Sequence, residues 1–208
     1  MLETLSMLRQ GGLIMFPLLV CSLTAATIVI ERCLALRRSI VFDPRALRVV
    51  EDYAGETSAE QAVAVCRRAN GPFARIVEEI LKTRHLDHAH ALETMYATGR
   101  TQLGVLERGL TVLEIIANVS PLLGLLGTVL GMVTVFNAIT AKGIGNPQVL
   151  SDGISKALVT TVAGLCVAIP ALAFHSWLSK RVDDFAAEMQ DRATNFIGRI
   201  QDLRRNKP

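Results

Sequence analysis

Hydroxyl side chains stand inside two stretches of the chain that are otherwise almost wholly apolar. Thr128 lies within 115–141, and Thr160 and Thr161 lie within 157–179, with Lys156 directly before that second stretch. Polar groups in such surroundings are costly and tend to mark function or helix packing. A hydroxyl there can orient water or position an acid, so these residues are candidates to line a polar path, and a path of this kind could serve protons.

Small residues and prolines surround these hydroxyls. Small residues four positions apart let helices approach closely, and a proline inside a helix frees a backbone carbonyl one turn earlier. The candidate packing and kink positions are Pro121, Gly124, Gly127, Gly131, Gly164 and Pro170. Spacing alone leaves two interpretations open: these residues only pack helices together, or they also line a polar path.

Carboxylates are missing from the same stretches. None of the 19 Asp and Glu residues lies within 10–30, 115–141 or 157–179, and these three windows also lack Lys and Arg. Hydroxyls alone do not carry a proton's charge through a membrane. If protons move here, a second polypeptide has to supply the membrane acid.

The three windows predict the elements that position these residues. A helix needs about 20 mostly apolar residues to cross the hydrocarbon core of a bilayer, and all three windows are long enough. We therefore predict three transmembrane helices. The first window leads directly into Glu31 and Arg32 without a small-residue cleavage site, so we interpret it as a retained helix rather than a signal peptide.

The composition agrees with a membrane protein. Of 208 residues, 50% are hydrophobic and 20% are charged, and the mean hydropathy is +0.37. These values exclude a disordered chain, and four cysteines argue against a disulfide scaffold. A net charge of +3 is too small to indicate nucleic-acid binding.

Basic residues predict the orientation. Arginines cluster at 31–48, and Lys and Arg cluster at 180–208, so the positive-inside rule places both segments in the cytoplasm. We expect a periplasmic N-terminus with the first transmembrane helix at 1–30, followed by a cytoplasmic helical region at 31–114. The second transmembrane helix at 115–141 and the third at 157–179 are joined by a short periplasmic loop at 142–156. A cytoplasmic helical tail at 180–208 follows the third helix.

The sequence patterns of the water-exposed segments predict helices. Asp43-Pro44 indicates a helix start, Ser58 with Gln61 a capping box, and Pro72–Arg84 an amphipathic helix. From His88 the apolar pattern runs into the second window, which predicts one unbroken helix; the third window similarly continues to Ile200. The predicted fold class is an all-α membrane protein with three transmembrane helices, two of them extended into a long cytoplasmic helical bundle.

No pattern in the chain indicates an enzyme, a cofactor or a metal. The sequence has no glycine-rich phosphate loop, nucleophile elbow or paired catalytic carboxylates. His85, His88 and His90 cluster, and the first two have the spacing of some metal sites. Because the sequence offers no supporting carboxylate pattern beyond Asp87 and no catalytic companion, a solvated helix start is the better interpretation.

Four segments resemble the ExbB/TolQ/MotA proton-channel family, most closely its ExbB members. The segments are Glu31-Arg32 with Leu36-Arg37-Arg38, the run 71–75 (GPFAR), the run 121–132 (PLLGLLGTVLGM) and the third-helix pattern over 153–170. The resemblance covers about residues 11–205. Three spans and a large first cytoplasmic loop look like ExbB or TolQ rather than the four-span MotA type.

The resemblance implies an inner-membrane motor driven by the proton motive force. It implies a pentamer around a pore that holds an ExbD-like partner, whose membrane Asp is protonated and released, and it implies work on a TonB-like protein. Thr128 and Thr161 match the threonines that face the partner's acid, and Pro121 and Pro170 match the family's helix prolines. Lys156 stands where many members have Glu, so it could pair with Asp152, with the partner's acid, or extend toward the interface.

Two alternatives remain open from the sequence. A TolQ-like subunit would keep the fold and serve an envelope-constriction system instead. A membrane scaffold without conduction would use the small residues only for packing.

Overall fold

Helices account for the regular structure of the described chain. The computed structural model describes residues 12–53, 59–142 and 147–205. A short 3-10 turn at Gly12–Ile14 precedes the first helix. The helices are α1 (Met15–Ala35), α2 (Arg38–Val41), α3 (Pro44–Asp52), α4 (Ala59–Arg68), α5 (Pro72–Lys82), α6 (His88–Leu106), α7 (Leu110–Lys142) and α8 (Pro147–Arg205).

Three of these helical stretches are long and apolar enough to cross a membrane. They are Gly12–Ala35, Leu110–Asn137 and Gly153–Arg205. Their large side chains are mostly turned outward: Phe16 is 70% exposed, Leu122 62% and Ile169 65%. Such surfaces are expected where the surrounding solvent is lipid or another subunit. The predicted all-α fold with three membrane helices is confirmed.

The chain divides into two compact units. One, here called the apolar unit, comprises the chain up to Ile30 together with Gly109–Trp177. The other, here called the polar unit, comprises Glu31–Arg108 and the chain from Leu178 onward.

The core of the polar unit is built around α5. This helix buries Phe73, Ile76, Val77, Ile80 and Leu81, the face that the apolar spacing predicted. The ring of Phe73 lies 5.2 Å, centroid to centroid, from that of Phe42. Burying large apolar side chains releases about 1.5–3 kcal/mol for each residue, which makes this face a main source of stability.

Local chemistry starts the helices of the polar unit where the sequence predicts. The Asp43 side chain accepts a hydrogen bond from the Arg45 backbone N–H at 2.8 Å, and Pro44 occupies the first turn of α3. Gly71, before α5, has a φ of 123°, and a Cβ there would collide with the Ile40 carbonyl oxygen. Only glycine fits both conditions. Ser58, the other predicted cap, lies outside the described residues.

Glu78 is a buried carboxylate on α5, with its side chain 6% exposed. Lys82, Arg75 and Arg67 reach it at 3.1, 3.3 and 3.4 Å. Burial, the largest single influence, would raise the pKa of Glu78, but hydrogen bonds from Lys82, Arg67 and Arg75 together hold it below the ordinary value of 4.5. Glu78 is therefore held as a carboxylate by the cations around it.

Three arginines of the polar unit bind backbone carbonyls where helices end. Arg32 donates to the carbonyls of Val105 and Leu106 at the end of α6. Arg199 donates to those of Val50, Glu51 and Tyr53 at the end of α3, and Arg204 to those of Arg84, His85 and Leu86 after α5. Helix ends leave carbonyls without partners, and these cations satisfy them.

The prediction of one unbroken helix from His88 into the second span is wrong. α6 ends at Leu106 and α7 begins at Leu110. Gly109 between them has a φ of 83°, a left-handed conformation that ends a helix and that glycine adopts without strain. The third span, in contrast, does continue without a break to Arg205.

Helix extends from both sides into the segment 142–156, which is predicted as the short periplasmic loop. α7 includes Lys142 and α8 begins at Pro147, so residues 147–156 are helical. Proline at a first helical position needs no hydrogen-bond partner, which suits it to start α8.

Candidate functional site

Helices α7 and α8 pack closely through small residues. A Cβ added at Gly131 would meet Ala157, one at Gly127 would meet Thr160, and one at Gly164 would meet Gly124. As the residue numbers in α7 rise, those of their contacts in α8 fall, so the two helices are antiparallel. We call the line formed by Gly124, Gly127, Gly131, Thr160 and Gly164 the seam.

The seam leaves no space for larger side chains. A Cβ at Gly164 would lie 2.6 Å from the Ser120 carbonyl oxygen. Ser120 and Thr160 are 0% and 1% exposed, and their hydroxyls donate to the carbonyls of Ile116 and Ala157 on their own helices, both at 2.7 Å. Thr160 therefore belongs to the helix contact, and the predicted packing glycines 124, 127, 131 and 164 all lie beside it.

Thr128 and Thr161 lie together on one flank of the seam. Each follows a seam residue by one position, and one step turns a helix by about 100°. In an antiparallel pair these turns carry both residues to the same side, which we call the threonine flank. Both side chains are partly exposed.

The hydroxyls of the threonine flank are already hydrogen-bonded. Thr128 donates to the Leu125 carbonyl at 2.6 Å, on its own helix. Thr161 donates across to the Gly124 carbonyl of α7 at 3.4 Å. Because each hydroxyl proton has an acceptor, the lone pairs of each hydroxyl oxygen remain available to accept a hydrogen bond.

Lys156 lies on the opposite flank. It precedes the seam contact at Ala157 by one residue, and its side chain is exposed. The terminal Cε and Nζ lie 3.0 and 3.2 Å from the place where a Cβ at Gly12 would be. The structure therefore brings Lys156 to the start of the first span and not to Thr128 and Thr161. The Asp152 side chain, its suggested partner, lies outside the described set of side chains.

Both predicted prolines lie inside unbroken helices. Pro121 is in α7 and Pro170 is in α8. Since proline has no N–H, the carbonyls of Ala117 and Cys166 lose their helical partners. Pro170 also lines an apolar pocket of about 300 Å³ between α1 and α8, together with Ala25, Val29 and Phe174.

His175 is a titratable residue that the sequence prediction missed. Its Nε2 lies 4.0 Å from Oε2 of Glu114, with the His175 side chain 20% exposed and that of Glu114 55% exposed. The windows were defined by the absence of Asp, Glu, Lys and Arg, so a histidine inside the third one went unnoticed. Counting histidine among the ionisable residues would have found it.

The histidine cluster of the polar unit begins α6. Asp87 accepts a hydrogen bond from the His90 backbone N–H at 3.3 Å, and its carboxylate also lies 2.5 Å from His90 Nδ1. This contact raises the pKa of His90 and lowers that of Asp87. Within 12–53, 59–142 and 147–205, no group of three or more His, Cys, Asp or Glu residues is placed to hold a metal ion.

Comparison with known proteins gives one consistent result. The family described as "MotA/TolQ/ExbB proton channel family" matches residues 68–191, more than half of the chain. That range includes α7, the first three quarters of α8 and the threonine flank.

Individual relatives extend the similarity over most of the chain. The biopolymer transport protein exbB1 of Vibrio cholerae is 31% identical over 94% of this chain and 88% of its own length. An ExbB-like protein of Synechocystis is 35% identical over 86% of this chain and 73% of its own length. For an ExbB homologue of Methanothermobacter thermautotrophicus the identity is 29% over 86% of this chain, which spans 64% of that relative.

The matched range and the three apolar helices agree with each other. The relatives are biopolymer transport proteins by name, and the helices make the chain a multi-pass membrane protein. This family is one of proton channels rather than enzymes. The chain belongs to the MotA/TolQ/ExbB proton channel family.

Proposed function

We propose that the protein is the ExbB-like stator subunit of a proton-driven motor in the bacterial inner membrane. With an ExbD-like partner, it would use the proton motive force to energise a TonB-like protein and so transport across the outer membrane. The observation that carries this proposal is the threonine flank: two partly exposed hydroxyls at one level of an apolar helix pair.

The composition of the helices supports the need for a partner. No Asp or Glu lies within 115–141 or 157–179, so the carboxylate that carries the proton has to come from another chain. When that acid is protonated, its O–H can donate to the oxygen of Thr128 or Thr161. When it is ionised, the threonine protons can turn from their backbone acceptors toward it. Both charge states then find a hydrogen-bond partner in the membrane.

The outward apolar faces of the helices support assembly. On α7, Leu125 and Phe136 are 58% and 62% exposed. A ring of several copies, which the resemblance gives as a pentamer, would cover part of this surface and enclose the partner's helix. The proposed orientation has the N-terminus in the periplasm and the C-terminus in the cytoplasm, following the basic residues at 31–48 and 180–208.

The threonine role is tested by removing the hydroxyls. Thr128→Val and Thr161→Val keep the shape of each side chain, and we expect each to lower TonB-dependent uptake at least tenfold at normal protein levels. Thr134→Val is the matched control, because Thr134 also donates to its own helix, at 2.9 Å, but lies away from the threonine flank. Normal uptake by both flank variants would contradict the proposal.

A second candidate is a scaffold that does not conduct. The seam favours it, because close packing alone explains the glycines and Thr160. Reconstitution in liposomes with the ExbD-like partner under a pH gradient separates the two: the stator conducts protons and the scaffold does not. A TolQ-like role would conduct equally, and neighbouring TolA-like or TolB-like coding sequences would indicate it.

A further inference from the structure

A groove lies between α1 and α8 of the apolar unit. Gly12, directly before α1, lies beside Lys156, and the residues that line the groove belong to 22–30 of α1 and 166–174 of α8. Equal steps along the two helices keep them side by side, so the helices run parallel. The groove follows them from near the middle of each apolar window toward the end at which Glu31 follows the first window.

Small side chains open this groove. Ala25 and Ala171, which line it, are 8% and 3% exposed and form its floor. Ala26 and Cys166 also line it and are exposed, so the groove opens to the surroundings of the two helices. None of the described residues that line it is charged. In a membrane span those surroundings are hydrocarbon, so an apolar occupant fits and a charged one does not.

The size of the groove decides what can occupy it. Its volume is about 300 Å³, and the eight helical steps from 22 to 30 span about 12 Å. The mean cross-section is then about 25 Å², roughly a quarter of that of a helix about 10–12 Å wide with its side chains. A helix from a second copy or from a partner does not fit into such a groove, whereas one extended hydrocarbon chain does.

The length and position of the groove match one leaflet of the bilayer. The hydrocarbon core is about 30 Å thick, so each leaflet contributes about 15 Å. The groove is slightly shorter, and it runs from Ser22, near the middle of the first window, to Ile30 at the end of that window. An empty groove would leave its walls without dispersion contacts. The acyl chains of the adjoining leaflet are the hydrocarbon nearest to it.

We propose that the groove holds one acyl chain of a phospholipid from the leaflet at the Ile30 end of α1. The carboxyl end of the chain lies near Ile30 and Phe174, which are 63% and 43% exposed and border the entrance. The methyl end lies near Ser22 and Cys166. The chain thereby adds to the packing of α1, few of whose residues are buried. Occupancy requires only that the two helices span the membrane, so it is independent of the proposed function.

Photolabelling of the full chain in vesicles of phosphatidylethanolamine and phosphatidylglycerol tests the groove. A trace of phospholipid carries a diazirine on one acyl chain, and peptide mass spectrometry locates the labelled residues after illumination. A diazirine at mid-chain should label the floor residues Ala25 and Ala171, which only a chain inside the groove reaches. Moving the diazirine toward the carboxyl end should shift the label to Phe174, and moving it toward the methyl end should shift the label to Cys166.

Filling the groove should exclude the chain. We expect Ala26→Phe to lower the labelling of Ala25 and Ala171 by roughly tenfold, which corresponds to about 1.4 kcal/mol of lost binding. Ala173→Phe is the matched control, because Ala173 is exposed on α8 but does not line the groove; it should leave the labelling unchanged. Ala26→Leu fills less of the groove and should give a smaller loss, which keeps the test usable if the phenylalanine variant does not fold.

The other results would each overturn the proposal. Floor residues that stay unlabelled in the wild-type chain would show that no acyl chain enters, as when a side chain of a second copy fills the groove. The reverse order of labelling would place a chain from the opposite leaflet there. Equal labelling of the wild-type chain and Ala26→Phe would place the chain outside the groove. Because none of these results depends on proton flux, each leaves the stator function as it stands.

Discussion

The seam of the apolar unit and the core of the polar unit hold helices together by opposite means. In the seam, glycines bring α7 and α8 so close that an added Cβ would meet the facing helix. In the core, large side chains such as Phe42, Phe73 and Phe196 are at most 2% exposed. The seam depends on glycines, which have no side chain, and the core of the polar unit depends on large side chains.

The difference follows from the surroundings of each region. Lipid is as apolar as leucine, so burying large side chains there releases little free energy, and close backbone approach becomes the main attraction. In water the burial of apolar surface drives packing. The leucines of α7 therefore face outward and the phenylalanines of the polar unit face inward for the same reason: in each region, apolar side chains lie where their surroundings are apolar.

The largest effect should come from removing a core ring. Phe73→Ala is expected to destabilise the polar unit by about 3–5 kcal/mol, through lost burial and the cavity left behind. Thermal unfolding and limited proteolysis in detergent measure it. Tyr96→Ala, which removes a ring that is 52% exposed, is the control and should cost far less. Equal losses would contradict the assignment of the core.

A smaller effect should come from adding one methyl group to the seam. Gly164→Ala is expected to cost about 1–3 kcal/mol, the usual range for overpacking, because its Cβ would press on the Ser120 carbonyl. Gly104→Ala, where nothing lies within 4 Å, should instead stabilise α6 by up to about 1 kcal/mol. We expect the thermal unfolding midpoint to fall in Gly164→Ala and to rise in Gly104→Ala. Shifts of the same sign in the two variants would contradict the assignment of the seam.

Acid should weaken the polar unit through Glu78. Because its folded pKa lies below the ordinary 4.5, the stabilisation is complete above that value and is lost as the pH falls through the folded pKa. Glu78→Gln should remove this part of the acid dependence and cost about 1–2 kcal/mol at neutral pH, less than a fully buried pair because the three cations are partly exposed. Unfolding followed from pH 3 to 7 measures both, with Glu79→Gln as the control.

The smallest effect should appear at the start of α6. Asp87→Asn keeps a helix-capping side chain but removes the charge, so the pKa of His90 should fall. Stabilisation linked to this raised pKa is present below the ordinary value for histidine and is lost as the pH rises through the folded pKa. The NMR titration of the His90 ring measures the shift. Glu93→Gln should lower the same pKa by a smaller amount, and a larger shift from Glu93 would reverse the assignment.

The sequence was sufficient for the features that depend on local pattern. Three windows without charge predicted three apolar helices, Asp43-Pro44 predicted the start of α3, and the spacing from Phe73 to Leu81 predicted the buried face of α5. Each depends on residues close together in the chain, where composition and helical period decide the outcome.

What escaped prediction depends on conformation or on helix partners. Gly109 ends a helical pattern because it adopts a left-handed conformation, and a lone glycine in a sequence does not reveal that. Helical spacing alone turns Thr161 away from Lys156, but only the antiparallel contact shows that Thr161 shares a flank with Thr128. The same contact brings Glu114 to His175, 61 positions away in the chain.

The arginines that cap helix ends give the polar unit a particular kind of chemical robustness. A guanidinium offers five N–H donors in one plane and a carbonyl oxygen has no proton to lose, so Arg32, Arg199 and Arg204 each hold more than one carbonyl at a helix end. Fastened in this way, three helix ends of the polar unit are held by contacts whose acceptors are neutral backbone atoms and need no carboxylate partner.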